Sequence, residues 1–202
     1  MTPSQRARIE ARHRDSLTRH GHHPHALYWS SREVQELRFA KLAEIGIQSG
    51  DCLLDVGCGF GDLRSWLLAQ GIEVGYSGLD LSPDLLAEAG RLHPDVIFHH
   101  GDLFDLAVPE HSFDWIFLSG ALNEQLHDGG DYARATLARM FALCRKGVAL
   151  NLLDARHGPT AAAHDLQSFL PQEMVAFCQR LGAQVDLIEG YLPNDFTLHL
   201  RR

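Results

Sequence analysis

The sequence predicts an α/β fold: a doubly wound, mostly parallel seven-stranded sheet with helices on both faces and one antiparallel strand in a C-terminal hairpin. Three observations lead to this prediction. Seven short apolar runs follow position 51 and alternate with segments of helical spacing, as in stacked βαβ units. The first run ends in closely spaced glycines that open a helix. Only residues 190–195 separate the last two runs, too few for a crossover between parallel strands.

Seven segments have the apolar composition of buried strands, and the helical segments between them complete the βαβ units. Because the last two strands are joined by a short loop, they must pair antiparallel, so we expect the sheet to end in one reversed strand. The predicted strands are Cys52–Val56, Val74–Asp80, Val96–His99, Phe113–Ser119, Gly147–Leu153, Val185–Glu189 and Phe196–Leu200.

The helix predictions rest on end signals and on apolar spacing. A helix opens after the first glycines and covers Leu63–Ala69. Ser82, followed by a proline, supplies an N-cap and a preorganised first turn for the next helix. Apolar residues repeat at helical spacing over Asp131–Leu143, and Pro171 begins a helix that ends near Gly182.

The composition is that of a globular protein and disfavours a stable complex with nucleic acid, although a nucleic-acid substrate bound briefly stays open. The chain has 202 residues, of which 45% are hydrophobic, and one domain of this length buries roughly 70% of its unfolded surface. A net charge of -8 disfavours stable nucleic-acid binding. Four widely spaced cysteines indicate reduced thiols, and no apolar window is long enough to span a membrane. We therefore expect a cytoplasmic monomer or homodimer without membrane contact.

Charge is distributed unevenly along the chain. Residues 1–50 carry eight basic and five acidic side chains, whereas the remainder carries ten basic and twenty-one acidic ones. This asymmetry predicts a distinct N-terminal segment that packs against, or hinges over, an acidic body.

The sharpest signal for a ligand is the turn after the first strand. Gly57, Gly59 and Gly61 stand at alternate positions, where they let the backbone turn tightly and approach a ligand. A dinucleotide fingerprint needs its third glycine one residue later, and Asp62 stands there instead. Because that carboxylate would repel a pyrophosphate, the turn favours a ligand with a neutral or cationic group.

The segment Leu54–Gly61 resembles the first motif of the class I S-adenosylmethionine-dependent methyltransferases, which are Rossmann-like enzymes with a seven-stranded sheet. The ligand of that family is a sulfonium with an amino-acid tail and no phosphate, which agrees with the argument from Asp62. The resemblance extends over most of residues 49–202 and implies S-adenosylmethionine as the cofactor. It implies cofactor-binding roles for Asp55, Gly57, Cys58, Gly59 and Gly61.

Three further strand ends are similar to family motifs and occur in the family's order. At the second, the resemblance implies that Asp80 accepts hydrogen bonds from the ribose hydroxyls and that Leu81 packs against the adenine. At the third, it implies that Asp102 accepts a hydrogen bond from the adenine amino group, with the N–H of Leu103 on a ring nitrogen. At the fourth, it implies that Ser119 lies beside the methionine part of the cofactor.

Each of these positions also has a structural explanation. Asp80 could cap the helix that follows it, Asp102 could cap a turn, and a glycine-rich turn can serve tight packing alone. The occurrence of all three signals at the ends of successive strands favours the binding role.

Members of the resembled family commonly place N-terminal helices over the cofactor as a lid. The resemblance therefore divides the chain into a helical lid and substrate-specificity segment, residues 1–48, and a cofactor-binding domain, residues 49–202. Within the lid, Arg38 could hold the cofactor's carboxylate bidentately and Trp29 could wall the pocket. The alternatives are that Arg38 lies on a solvated helix face and that Trp29 is a buried packing residue where the lid contacts the body.

Two other segments bear on the site. The histidines of residues 20–25 predict a mobile polar loop rather than a metal site, because no cysteine or carboxylate accompanies them, and we expect no metal. Residues 120–127 follow the fourth strand and should line the acceptor side. There His127 could act as a base on a substrate hydroxyl and Asn123 could orient the acceptor. An exposed loop histidine and a turn asparagine are the alternatives.

The resemblance implies an enzyme that moves the methyl group of S-adenosylmethionine to an oxygen, nitrogen or carbon of a small molecule by in-line displacement. The fourth strand is not followed by the Asn-Pro-Pro-Tyr motif that marks many relatives acting on nucleic-acid bases or proteins. Two alternatives stay open: a non-catalytic S-adenosylmethionine-binding sensor or partner module, and a nucleotide-dependent oxidoreductase, which the glycine spacing disfavours.

Overall fold

The computed structural model describes the chain from Met1 to Arg202. It begins with helix α1 (Pro3–His20), a short 3-10 helix (Pro24–Leu27) and helix α2 (Arg32–Ala43). The strands are β1 (Cys52–Val56), β2 (Gly75–Asp80), β3 (Ile97–His100), β4 (Phe113–Ser119), β5 (Cys144–Leu153), β6 (Gln184–Ile188) and β7 (Asp195–Arg201). The other helices are α3 (Asp62–Ala69), α4 (Pro83–Leu92), α5 (Asp131–Leu143), α6 (Gly158–Ala161) and α7 (Pro171–Arg180).

All seven strands belong to one sheet, in the order β3-β2-β1-β4-β5-β7-β6. Strand β7 runs antiparallel to both of its neighbours, and the other neighbouring pairs are parallel. The predicted fold class is therefore confirmed. The hydroxyl of Ser82 accepts a hydrogen bond from the N–H of Leu85 at 3.3 Å, which confirms the predicted N-cap of α4.

Two details of the sheet differ from the prediction. The reversed strand β7 lies inside the sheet, between β5 and β6, and not at its edge. Six of the seven residues of β7 are buried, whereas no residue of β6 is. The interior position therefore belongs to the strand that is buried along almost its whole length. Strand β5 also begins at Cys144 instead of Gly147, because α5 leads directly into it.

Helices cover both faces of the sheet. One core lies between the sheet and helices α5 and α7, and the other between the sheet and helices α2 and α3. Side chains alternate along β1, so that Leu54 and Val56 join the first core and Leu53 joins the second. Asp55 shares the face of Leu53, where its carboxylate accepts a hydrogen bond from the Tyr76 hydroxyl at 2.6 Å.

Asp55 makes the stability of the fold depend on pH. Burial raises the pKa of its carboxyl to about 7, and the Tyr76 hydroxyl lowers that pKa only in part. An aspartate in an unfolded chain has a pKa of about 3.9. Between these two pKa values the folded chain holds a proton that the unfolded chain has lost, so the contribution of this proton to stability disappears as the pH rises through about 7.

We expect Asp55→Asn to remove this dependence. Relative to the wild type, the free energy of unfolding of the variant should rise by about 1 to 2 kcal/mol between about pH 6 and pH 8.5. Urea unfolding at both pH values measures the difference. Burial lowers the pKa of His199, but this histidine titrates alike in both proteins and cancels. If the difference in free energy of unfolding between Asp55→Asn and the wild type is the same at both pH values, Asp55 is ionised at both.

Candidate active site

A cavity of about 530 Å³ lies between the carboxyl ends of the parallel strands and the N-terminal helices. Residues of the N-terminal segment and residues at the strand ends both form its walls. The predicted residues that line it are Gly57, Gly59, Asp80, Leu81, Asp102, Leu103, Ser119, Asn123, Trp29 and Arg38. The structure thus brings together, at one edge of the sheet, residues from four strand ends and from the lid segment.

The turn after β1 needs glycine because other backbone approaches it closely. Gly57 and Gly59 have positive φ angles of 73° and 54°. A Cβ atom at Gly57 would overlap the Cβ of Ala121, and one at Gly59 would meet the Leu27 side chain at 2.8 Å. The turn is therefore packed between the segment that follows β4 and the N-terminal segment.

The Asp80 carboxylate is held rigidly at the end of β2. Its Oδ2 accepts a hydrogen bond from the Gly59 N–H at 2.9 Å, and its Oδ1 accepts one from the Ser82 N–H at 2.8 Å. A carboxylate has further lone pairs beyond those two, and the side chain lines the cavity. Asp80 therefore orders the neighbouring turns and also presents an acceptor to the cavity, so the capping role and the binding role are compatible.

Asp102 is shared between its own turn and the N-terminal helix. Its Oδ1 accepts a hydrogen bond from the Phe104 N–H at 2.9 Å, and its Oδ2 accepts one from the Arg6 guanidinium at 2.8 Å. Arg6 also pairs with Asp105 at 2.8 Å. Helix α1 is thus fixed to the β3 end of the cavity.

Arg38 forms a buried ion pair with Asp195, with side chains that are 7% and 0% exposed. Its guanidinium carbon lies 4.7 Å from the centre of the Trp29 ring. Burial raises the pKa of the Asp195 carboxyl to about 7, against the lowering effect of Arg38. The solvated-face alternative for Arg38 is therefore wrong, and the pair joins α2 to the start of β7.

A chain of polar side chains runs behind the cavity across β4, β5 and β7. The Ser119 hydroxyl donates to Asn151 Oδ1 at 2.8 Å, and Asn151 Nδ2 donates to Thr197 Oγ1 at 2.7 Å. The hydroxyl proton of Ser119 is therefore already used in a hydrogen bond within the protein. Asn123 differs, because its Oδ1 is buried without a hydrogen-bond partner in the wall of the cavity.

Helix α1 is tied to other rims of the cavity as well. Arg12 pairs with Glu124, after β4, at 2.7 Å, and Arg14 pairs with Asp84 of α4 at 2.8 Å. The Gln5 side chain donates to the carbonyl of a residue in the segment after β4 at 2.8 Å. These contacts place the basic N-terminal segment on acidic groups of the body, as the charge asymmetry indicated.

The structure contradicts the predictions for Asp55 and His127. Asp55 lies on the face of β1 opposite Val56, and only Val56 reaches the cavity, because side chains alternate along a strand. His127 is exposed, has a positive φ of 56° and does not line the cavity. An exposed histidine outside the cavity lining is the alternative that the sequence left open for this residue.

Cys58 and Gly61 also lie outside the cavity lining. The Cys58 thiol packs behind the turn, where a Cβ at Gly78 would meet its Sγ at 2.7 Å. A Cβ at Gly61 would meet the His93 ring at 2.9 Å, so this glycine faces α4. Both residues shape the turn and do not face the cavity.

The histidine-rich segment is tied to the body and is not a free loop. His23 caps the 3-10 helix, and the ring of His22 lies 3.2 Å from Asp62 Oδ1. Gln35 donates to Asp62 Oδ2 at 2.9 Å. Asp62 therefore anchors the lid segment and does not line the cavity, contrary to the expectation that it would select the charge of the ligand. No group of three or more His, Cys, Asp or Glu side chains is placed to hold a metal ion.

Sequence reasoning missed one face of α1. Ile9, Arg12 and His13 line the cavity, and Ser16 is buried on the same helix. The spacing of these four residues, at positions i, i+3, i+4 and i+7, is the pattern of a single helix face. That pattern could have identified them as a face that packs inward.

The sheet, the glycine turn and the acidic strand ends around one cavity define a Rossmann-like methyltransferase of the S-adenosylmethionine-binding type. Residues 53–147 match the family model described as a methyltransferase domain. A Mycobacterium tuberculosis protein named as a methyltransferase is 28% identical over 158 residues, which cover 73% of this chain and 91% of that protein. Trans-aconitate 2-methyltransferase of Methylobacterium nodulans is 36% identical over 101 residues, 50% of this chain and 38% of that protein.

Among solved structures, the complex of DhpI with SAM and HEP superposes with a TM-score of 0.71 at 18% identity, covering 98% of this chain and 96% of that one. Together the family model, the named methyltransferases and the structural neighbours support a class I S-adenosylmethionine-dependent methyltransferase, and its cofactor is S-adenosylmethionine. These similarities to methyltransferases disfavour the oxidoreductase alternative. No helix of the chain has the length and apolar character required to cross a bilayer.

Proposed function

We propose that this protein transfers the methyl group of S-adenosylmethionine to a small, uncharged acceptor held in the cavity between residues 1–48 and residues 49–202. One observation carries the proposal: each arginine that lines the cavity is already paired, Arg12 with Glu124 and Arg38 with Asp195. Arg12 is engaged by Glu124, and Arg38, beside Asp195, is the residue assigned below to the cofactor's own carboxylate, so neither arginine is left for an anionic acceptor, which would also face the carboxylates of the wall.

The residues of the cavity fit the cofactor. Its sulfonium and ammonium groups are cationic, and the wall contains Asp80, Asp102 and Glu124. Gly57 and Gly59 bring the backbone of the turn to the cavity wall, and the buried Oδ1 of Asn123 in the same wall lacks a partner. When bound, S-adenosylmethionine supplies an electrophilic methyl group on a sulfonium, which is a good leaving group.

We assign the cofactor contacts to the predicted residues that line the cavity. Asp80 would accept the ribose hydroxyls, and Asp102 the adenine amino group, sharing that carboxylate with Arg6. Leu81 and Leu103 would pack against the adenine. Arg38, with Asp195 on one side and Trp29 against its guanidinium, would hold the cofactor's carboxylate.

We assign residues 1–48 the role of a lid. Its arginines bridge the cavity from the β3 end, through Arg6, to the segment after β4, through Arg12. Closing the cavity in this way would exclude water and hold the acceptor in line with the methyl group, which is the main task left to a protein when the leaving group is good.

The curated relatives guide the choice of acceptor only in part. The relative that acts on trans-aconitate uses an anion, and this chain spans only 38% of its length. Because both arginines of the cavity are paired with carboxylates, we do not extend that acceptor to this chain.

Titration calorimetry with S-adenosylhomocysteine tests the cofactor site, with NADH and ATP as control ligands. We expect selective binding of S-adenosylhomocysteine. We expect Asp80→Asn to weaken this binding by about 1.5 to 3 kcal/mol, roughly 10- to 150-fold, the range for a hydrogen bond to a charged group. Asparagine keeps the size of the side chain and one acceptor oxygen for the turn.

Asp95→Asn is the matched control, since Asp95 is an exposed carboxylate that pairs with Arg64 outside the cavity. Its affinity for S-adenosylhomocysteine should equal that of the wild type. Failure of the folded wild type to bind S-adenosylhomocysteine would overturn the proposed function. Equal affinity of the Asp80 and Asp95 variants would overturn only the ribose assignment.

A further inference from the structure

His13 stands in the wall of the cavity with a polar atom that nothing in the protein satisfies. It lies on the face of α1 that also carries Ile9 and Arg12. Its Nδ1 is buried and has no hydrogen-bond partner. The imidazole therefore keeps a lone pair that no donor of the protein occupies.

Neighbouring residues hold the His13 ring in place. The ring of Tyr28 meets it edge to face, with ring centres 5.7 Å apart. Tyr28 has a positive φ of 62°, an unfavourable conformation for a bulky residue, and its hydroxyl donates to the Arg12 carbonyl at 2.9 Å. The Arg12 guanidinium lies 4.2 Å from the centre of the Tyr28 ring and pairs with Glu124. Backbone strain of this kind concentrates at functional sites.

The charges around His13 suit a group that takes up a proton. Burial lowers the pKa of the imidazole, so the ring is neutral near pH 7 and has a free lone pair. Asp80 at the end of β2 and Glu124 after β4 raise that pKa, whereas Arg12 on α1 lowers it. The two carboxylates would therefore stabilise the imidazolium once it forms.

We propose that the imidazole of His13 accepts the proton of a hydroxyl group on a neutral, phenol-like acceptor during methyl transfer. The proposal rests on the proposed function and names the chemical class of its acceptor. The acceptor oxygen forms the bond to the methyl carbon, the electron pair of the breaking carbon–sulfur bond stays on sulfur, and the hydroxyl proton moves to the unprotonated ring nitrogen of His13 and later to solvent.

The walls of the cavity favour an aromatic acceptor. Tyr28 and Trp29 offer aromatic surfaces to the cavity. Apolar side chains also line it, among them Leu122, Leu126, Leu166 and Leu192. A phenol titrates near the value of about 10 found for tyrosine, far below the value of about 15.7 for water. Transfer of a phenolic proton to an imidazole is therefore within reach of general-base catalysis.

The binding test uses 4-nitrophenol, whose anion absorbs visible light, added to protein saturated with S-adenosylhomocysteine at slightly acid pH. Free nitrophenol is then neutral, so absorbance of the anion reports a proton passed to the protein. We expect this absorbance with the wild type and its loss in His13→Gln. His20→Gln is the matched control, because His20 is an exposed histidine of the same helix that does not line the cavity.

The kinetic test compares methyl transfer to phenol and to 4-nitrophenol. His13→Gln should slow transfer to phenol by about 100-fold or more, the usual contribution of a general base. At slightly acid pH, where both acceptors enter the cavity neutral, the loss should be smaller for 4-nitrophenol, because its more acidic proton depends less on a base. His20→Gln should match the wild type with both acceptors.

Three results would overturn the proposal while the proposed function stands. One is anion absorbance in His13→Gln equal to that of the wild type. Another is a wild type that binds S-adenosylhomocysteine but neither binds nor methylates a phenol. The third is a His13→Gln variant with weakened S-adenosylhomocysteine binding and equal loss of rate for both phenols, which would make His13 a cofactor contact. Failure of the wild type to bind S-adenosylhomocysteine would instead contradict the proposed function.

Discussion

Replacing Gly57 with alanine is expected to destabilise the protein by about 2 to 5 kcal/mol. A positive φ costs an L-residue about 1 to 2 kcal/mol, and Gly57 has a φ of 73°. In addition, the new Cβ would overlap the Cβ of Ala121, so either the turn or the segment after β4 must move. Overpacking of this kind adds roughly 1 to 3 kcal/mol. Urea unfolding measures the total.

Gly71→Ala separates the two contributions. Gly71 has nearly the same φ, 75°, but no atom lies within 4 Å of the Cβ that alanine would add. We expect the free energy of unfolding of this variant to fall only by the cost of the positive φ, about 1 to 2 kcal/mol. Because the Gly57 turn borders the cavity, Gly57→Ala should also weaken S-adenosylhomocysteine binding, whereas Gly71→Ala should not. Equal losses of stability in the two variants would show that the contact with Ala121 is relieved at no cost.

Much of the sheet could be predicted because its signals are local. The apolar run of β1 followed by glycines, and the Ser82 cap of α4, depend on residues close in sequence. The position of β7 inside the sheet depends instead on which strand buries more surface against β5, a property of the assembled fold. The antiparallel direction of β7 followed from a short loop, but its place in the order did not.

The same distinction explains the site predictions. Asp80 and Asp102 lie at strand ends, and the carboxyl ends of parallel strands meet at one edge, so topology alone brings both to the cavity. Asp55 was assigned with its motif, although alternation with Leu54 and Val56 already placed it on the other face. The role of His13 depends on how α1 crosses the sheet, which no local pattern determines.

Loss of the Arg38 guanidinium is expected to cost about 3 to 5 kcal/mol at mildly alkaline pH, because Arg38→Met leaves the buried Asp195 carboxylate without a partner. The cost should be smaller at acid pH. Burial already raises the pKa of Asp195 to about 7 beside Arg38, so without the guanidinium this carboxyl takes up a proton more readily. Arg14→Met is the control, since Arg14 and Asp84 form an exposed pair worth about 0 to 1 kcal/mol.

The double variant Arg38→Met with Asp195→Leu distinguishes a structural role of Arg38 from a binding role. Removing both charges should restore most of the lost stability, because no unpaired charge remains buried. If Arg38 also holds the cofactor's carboxylate, the double variant should regain stability in urea unfolding while its affinity for S-adenosylhomocysteine stays low. Recovery of both quantities would contradict the carboxylate assignment and leave Arg38 as a link between the lid segment and β7. Loss of stability that the double variant does not recover would show that the stacking on Trp29, and not the ion pair, fixes α2.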